Sequence, residues 1–278
     1  MKTQHIFTCF FLLGMIIGSA GAQEFDHSAY DEILKAHVEQ GLVDYAGLKS
    51  EKGGLDRYMN MLAEARPDDY EQWSREEQLA FWINAYNAIT LYGIRENYPV
   101  QYGGFVARLR FPESSIRQIS GFWDKVFVKP LGKEYSLNHI EHEILRKEFN
   151  DPRIHFAIVC ASMSCPDLSR EAYTAEKLDH QLDLAVVNFL KQPKGLRIDR
   201  HNNILFLSSI FGWYKDDFAV DNLPDRLMKY KKEQHGFMSF IMRYTDEQTN
   251  NYILTNSPEV RFLDYDWSLN EMQADTMR

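Results

Sequence analysis

The pattern of apolar and polar positions is helical at first and then interleaved with short extended runs. Phe25 to Gln40 reads as a first helix, with Gly41 as its stop. Val43-Asp44-Tyr45 reads as a short extended piece, and Leu55, Met59 and Leu62 give helical spacing over 55–64. The clearest signal follows. Ser74 and Glu77 form a capping box, in which each side chain satisfies the other residue's orphan amide. The helix they open runs to about Glu96 and is apolar nearly all round, which predicts a central buried helix near residues 75–96.

Residues 101–121 read as loop, with Gly103-Gly104, Pro112 and several serines, so this stretch is either a functional loop or poorly ordered. Val126-Phe127-Val128 and Glu134-Tyr135 around Pro130 and Gly132 predict a hairpin. Ser136 caps a helix to Phe149, ended by Asn150-Asp151-Pro152. Ile154 to Val159 is a short apolar run that predicts a buried strand, delivering a loop from Ala161 to Leu168. Thr174 is read as the cap of a helix to Leu190. Leu196–Asp199 and Ile204–Leu207 predict paired strands around Asn202-Asn203, and Val260–Leu263 a late strand. The elements do not alternate regularly. The expected class is therefore α+β: a helix-rich single domain around a small, mostly antiparallel sheet.

Two features of the first residues change this picture. Lys2, the apolar run Ile6–Ile17 and the small residues Gly18 to Ala22 read as a signal peptide over 1–22, with Ala20 and Ala22 in an A-x-A pattern. The run is shorter than the ~20 residues a bilayer span needs. Cys9 lies inside it rather than just after it, which argues against a lipoprotein. Cleavage would leave a single globular domain, 23–278, exported to the periplasm or outside the cell. The chain carries 31 basic and 40 acidic residues, and its acidic balance disfavours nucleic acid and anionic lipid as partners. No membrane insertion is expected after cleavage. The expected partner is a small molecule or a peptide, and no cofactor is expected.

Three places hold candidate chemistry. Asn84 and Asn87 share a face of the buried helix, and a buried amide is costly unless bonded. They orient a catalytic or binding group, or they bond loop backbone. On the next helix His139, His142 and Arg146 line one side, with Glu141 beside them. His142 is a candidate general base, against the plainer reading of surface histidines. The His139/His142 spacing suits zinc if other ligands join, but there is no HExxH. Third, His155 precedes Cys160 and the segment Ser164-Cys165-Pro166. A cysteine with a histidine to lower its pKa and an asparagine to hold that histidine makes an acyl-transfer site. Cys165 is favoured over Cys160 because it lies further into the loop. Against this, Cys160 is a small core residue, or export leaves the two sulfurs bonded.

Phe81-Trp82-Ile83-Asn84-Ala85-Tyr86-Asn87, then Ile140 to Arg146, then His155-Phe156-Ala157 leading to Ser164-Cys165-Pro166 resemble the domain of unknown function 547 family. Val43-Asp44-Tyr45 upstream and Trp213-Tyr214 with Asp217-Phe218 downstream extend the resemblance. It implies a helix-rich α+β domain found in exported bacterial proteins and in eukaryotic multidomain proteins, with no assigned reaction. It implies Asn84, Asn87, Glu141, His142, Arg146 and His155 as recurrent polar positions, with the cysteines less uniform.

Three functions compete. The favoured one is a thiol- or histidine-dependent hydrolase or acyl-transfer enzyme. Cys165 attacks, His142 or His155 takes the proton, Asn84 orients the imidazole, and Asn87, Glu141, Arg146 and Ser164 bind ligand. The alternative is a non-catalytic periplasmic binding module for a peptide, a carboxylate or an envelope glycan, with Arg146 gripping carboxylate by its planar fork. The third is a metal site built on His142 and His155.

Overall fold

The computed structural model describes residues 23–219 and 225–273. The predicted signal segment, 1–22, lies outside the described residues. In chain order the elements are α1 (Ser28–His37), β1 (Val38–Glu39), β2 (Leu42–Val43), α2 (Tyr45–Ser50), α3 (Lys52–Glu64), α4 (Pro67–Tyr70), α5 (Arg75–Asn97), α6 (Phe105–Arg110), α7 (Leu137–His139), α8 (Leu178–Leu190), β3 (Leu196–Asp199), β4 (Ile204–Leu207), α9 (Ser209–Trp213), α10 (His235–Tyr244), α11 (Glu247–Asn256) and β5 (Glu259–Phe262). Single 3₁₀ turns join several of them. The architecture is helix-rich α+β. β3 and β4 pair antiparallel, Leu196 opposite Leu207, and β5 adds to β4 in parallel, Leu205 beside Val260. β1 and β2 form a separate two-residue antiparallel ladder.

The central helix is α5. Ser74 Oγ accepts from the Glu77 amide at 3.1 Å and a Glu77 carboxylate oxygen accepts from the Ser74 amide at 2.5 Å, the reciprocal pair that its sequence predicts. Leu79 to Leu91 are all buried, so the helix presents no solvent face along its middle. A helix with apolar residues all round has to be surrounded. Here α2, α3 and the helix at 137–149 pack on it.

Two apolar clusters share the interior. One gathers around α5 and includes Tyr45, Tyr58, Trp82, Leu145 and Leu182. The other is built on Phe156, the end of α8, β4 and α10. They meet at the 154–156 turn, where Ile154 belongs to the first and Phe156 to the second. His155 between them faces the seam.

Local structure departs from sequence expectation at five places. Within the stretch 101–121, read as loop, Phe105–Arg110 forms α6. Residues 154–159 do not form a strand: Pro152–Phe156 is a 3₁₀ turn, opened by Asp151, whose side chain accepts from the Arg153 amide. Pro152 presets a helical φ at its first position, and an apolar run buried on every side reads alike for strand and helix. The predicted hairpin at 126–135 is a single turn, Pro130–Gly132, with Leu131 and Gly132 at φ 54° and 70°. Thr174 caps no helix with its side chain. A 3₁₀ turn at Ala175–Lys177 precedes α8. The helix that begins at α7 continues as a π-helix over Ile140–Phe149 and ends at Asn150 in the left-handed region, φ 48°. Asn tolerates that conformation at a helix end.

Candidate active site

A cleft of about 910 Å³ opens where the π-helix, the 104–124 segment, the 155–166 segment, α9 and the 265–267 tail converge. Glu141, His142, His155, Cys160 and Cys165 all line it. Asn84, Asn87, Arg146 and Ser164 do not.

The thiol loop is built by an unusual backbone. Ala161 is buried with φ 54°, a left-handed conformation that costs a non-glycine residue roughly 1 kcal/mol. It turns the chain so that Cys160 and Ser162 face the same neighbour, the Tyr265 hydroxyl, at 3.2 and 3.3 Å. The C-terminal tail clamps this turn: the Met163 amide donates to Ser268 O at 2.8 Å and the Asn270 amide to Ala161 O at 3.2 Å. Ser164 belongs to the clamp, its Oγ accepting from the Asp266 amide at 2.9 Å, and is not among the residues that line the cleft.

Both cysteines are free, with their sulfurs 3.0 Å apart. Their environments push them in opposite directions. Cys160 is half-buried. Its thiol is lowered to about 7 by hydrogen bonds from Cys165 first and then Ser162 and Tyr265, which outweigh burial. Cys165 is buried, and burial together with the adjacent Cys160 charge pushes its thiol well up. The expectation that Cys165 is the more exposed of the two cysteines is therefore corrected. Depth along a loop did not decide exposure; the tail folded over the loop did. Among the described residues the sulfurs' side-chain partners are each other, Ser162 and Tyr265, and no imidazole is among them.

The histidines are held by a second network. Asp217 takes Arg146 in a two-pronged grip, Nε at 2.6 Å and Nη2 at 2.8 Å, and also bonds His155 Nε2 at 2.7 Å. Burial opposes ionisation of Asp217, yet the His155 and Arg146 bonds hold its carboxyl well below the usual range. An ionised carboxylate only accepts, so His155 Nε2 carries the proton and Nδ1 is left as the basic nitrogen. The His155 ring stacks on Tyr214 at 4.0 Å. Arg146 Nη1 lies 2.9 Å from His142 Nδ1. A guanidinium only donates, so His142 Nδ1 accepts and its Nε2 bears hydrogen. Arg146 is thus committed to Asp217 and His142, which corrects its assignment to ligand carboxylate. Each of these bonds engages one nitrogen of the ring, Nδ1 of His142 and Nε2 of His155. Among the described residues no three His, Cys, Asp or Glu side chains are grouped to hold a metal ion.

Glu141 is buried, and its two oxygens accept from the hydroxyls of Tyr86 at 2.9 Å and Tyr214 at 2.6 Å. Burial, then the Glu141 charge, pushes both phenols up, so they stay protonated donors. In an α-helix Glu141 and Arg146 would point apart. A π-helix brings residues five apart onto one face. Both accordingly touch Tyr214, whose ring lies 5.0 Å from the Arg146 guanidinium carbon.

The α5 amides are elsewhere. Asn84 Nδ2 donates to Tyr173 O at 2.8 Å and its Oδ1 accepts from the Tyr173 amide at 2.9 Å. Asn87 does the same across Ala157 O and the Val159 amide, both at 2.9 Å. Neither touches an imidazole, so the orienting role read for Asn84 is corrected to fastening backbone. His139 is exposed on the helix surface.

Residues 70–190 match the family model described as protein of unknown function, DUF547. Over that span the chain is similar to the DUF547 family. No curated protein and no solved structure matches the chain. The DUF547 span supplies both thiols, both cleft histidines and Glu141. Asp217 and Tyr265, which hold His155 and Cys160, come from beyond it. Sequence reasoning passed over Tyr265 and ranked Cys160 second. Asp217 figured only in the downstream resemblance.

Proposed function

We propose that the chain is a thiol-dependent enzyme of acyl-transfer or hydrolase type, with Cys160 as nucleophile and His155, held by Asp217, as the proton carrier. The observation that carries this reading is a free, half-buried Cys160 on the wall of the cleft that His155 also lines, ringed by Cys165, Ser162 and Tyr265 at 3.0–3.2 Å, contacts that lower its thiol. A thiolate is the reactive form of cysteine, and near neutral pH a large fraction is present without a base. The imidazole is then needed for the leaving group rather than for the attack, which fits the lack of a direct sulfur–imidazole bond. Cys160 Sγ adds to the substrate carbonyl. His155 Nδ1 takes up, through solvent, the proton that the Cys160 thiol gives up; the S–C bond forms as the bond to the leaving group breaks, and Nδ1 hands that same proton to the leaving group. Water or an acceptor nucleophile then attacks the thioester, giving its proton back to Nδ1 and releasing Cys160 as thiolate. The Nε2–H of His142, fixed by Arg146, is the side-chain donor best suited to the developing oxyanion.

We also infer export, from the first 22 residues of the chain.

The test is a burst assay with p-nitrophenyl acetate. The expected result is one equivalent of p-nitrophenol per chain with an acetyl group on Cys160, lost in Cys160→Ser and kept in Cys165→Ser. A burst unaffected by Cys160→Ser, or its absence from a correctly folded protein, would reject the reading. The aromatic wall of the cleft, with Trp213 52% exposed, favours a second reading as a binding module. Saturable binding without any acyl-enzyme would decide for it.

A further inference from the structure

We propose that Arg117 is an anion subsite at the far end of this cleft, and that the ligand is a carboxylate attached to an apolar or aromatic body. The proposal names the substrate class of the site and rests on the reading of the cleft as the place where ligand binds.

Arg117 lines the cleft. Its guanidinium lies 4.8 Å from the Phe111 ring centre, 5.1 Å from Trp267 and 5.6 Å from Trp123. Among the described residues it pairs with no carboxylate. Arg110, on the same cleft wall, is likewise without one, whereas Arg146 pairs with Asp217, Arg153 with three aspartates and Arg95 with Asp56. The two acids of the cleft wall are engaged elsewhere, Asp124 with Asn138 and Glu141 with the two tyrosines. Stacking on rings satisfies the faces of a guanidinium but leaves its in-plane N–H fork free, and that fork matches a carboxylate. In a chain of net charge −9, an uncompensated cation inside a cleft marks a place that attracts anions.

The same rings continue to the thiol. Trp267 lies 4.6 Å from Tyr265, whose hydroxyl is 3.2 Å from Cys160 Sγ. Cation, aromatic wall and nucleophile therefore follow one another along one surface. A ligand gripped at Arg117 by its carboxylate would lay its apolar part on Trp267 and Tyr265 and bring a carbonyl toward Cys160.

Trp123 and Trp267 report directly on this subsite, so the test is tryptophan fluorescence. N-acetyl-L-phenylalanine and its uncharged carboxamide are titrated into the full chain and into Arg117→Gln and Arg117→Lys. The acid is expected to bind at least tenfold tighter than the amide in the parent protein. Arg117→Gln should abolish that preference. Arg117→Lys, which keeps the charge and loses the fork, should retain part of it. Arg117 is exposed, so both variants should keep the parent melting temperature. Equal affinity for acid and amide, no saturable binding of either, or an unchanged preference in a folded Arg117→Gln protein would overturn the subsite. Labelling of Cys160 is read separately. An unreactive Cys160 with the Arg117 preference intact removes the acyl-transfer reading alone, and a reactive Cys160 without the preference removes the subsite alone.

Discussion

The α5 amides and the cleft thiols are both polar groups set among apolar side chains, but their bonding differs in kind. Asn84 and Asn87 each close a reciprocal pair of bonds on peptide groups that would otherwise be buried and unpaired. Neither asparagine lines the cleft. The cleft groups are bonded on one side and open on the other: Asp217 grips His155 Nε2 and leaves Nδ1, Arg146 grips His142 Nδ1 and leaves Nε2–H, and three hydrogen-bonding groups, Cys165, Ser162 and Tyr265, surround Cys160 Sγ. Closed pairing fixes a fold, and one-sided pairing leaves a reactive atom with a tuned charge. Asn87 joins the two regions, since the backbone it fastens at Ala157 and Val159 is the segment between His155 and Cys160.

The largest effect that would sharpen this contrast is on stability. Asn87→Ala leaves a buried amide and a buried carbonyl without partners, each worth about 1–3 kcal/mol. A total loss of about 2–4 kcal/mol is expected in urea unfolding. An Asn87→Ala protein as stable as the parent would break the assignment of that amide to the scaffold.

Asp217→Asn comes next. It removes the charge that organises Arg146 and His155, in a half-buried position where solvent softens the loss to about 1–3 kcal/mol. The sign with pH follows from the depressed carboxyl. The unfolded group titrates near ~3.9 and the folded one lower, so the contribution is complete above about pH 4 and fades as pH falls toward the folded value. Unfolding midpoints should therefore separate parent from variant at pH 6 and bring them together below pH 4. A gap that persists undiminished in acid would contradict a charge-based role.

How much of this was legible in the sequence depended on how local its cause was. The Ser74/Glu77 box and the unbroken apolar girth of α5 are written within one element, and so is the Asn202-Asn203 turn between β3 and β4, where Asn203 sits at φ 54°. The 154–159 run was misread because apolarity on every side carries no period, although Asp151-Pro152 ahead of it is a helical start. In α spacing Glu141 stands beside the His142 and Arg146 side; the π-helix brings it to the same Tyr214 that Arg146 meets. The ranking of the cysteines failed for a longer-range reason. The tail that clamps the thiol loop, and that brings Tyr265 to Cys160 from 105 residues away, is not announced by local spacing. Asp217 lies 62 residues beyond His155, and nothing in the spacing of either announces the pair.

The thiol side of the comparison is sharpened by Cys165→Ala, which removes the leading cause of the lowered Cys160 thiol. The midpoint of iodoacetamide alkylation at Cys160, expected near 7 in the parent, should rise by one unit or more, toward the unperturbed ~8.5. Cys165→Ser, which keeps a donor, should fall between the two. If Cys165 rather than Cys160 is alkylated first in the parent, the assignment of roles to the two sulfurs is reversed.

The smallest effect is that of Tyr265→Phe, and it isolates one bond. The hydroxyl stands 3.2 Å from Cys160 Sγ and 3.3 Å from Ser162 Oγ, while the ring packs on Trp213 and Trp267 at 4.7 and 4.6 Å. Phenylalanine keeps the ring and its packing and deletes only the donor. Burial, and then the Cys160 charge, pushes the phenol well up, so it stays protonated and donating through the range where the thiol ionises. Tyr265 stands third among the donors that lower Cys160, after Cys165 and Ser162. The alkylation midpoint should accordingly rise by only a few tenths of a pH unit, since a single hydrogen bond nets about 0.5–1.5 kcal/mol and Ser162 remains as a donor. Stability should hold, because the ring contacts are retained. A midpoint shift as large as that of Cys165→Ala would mean that the phenol, not the second thiol, sets the charge on Cys160.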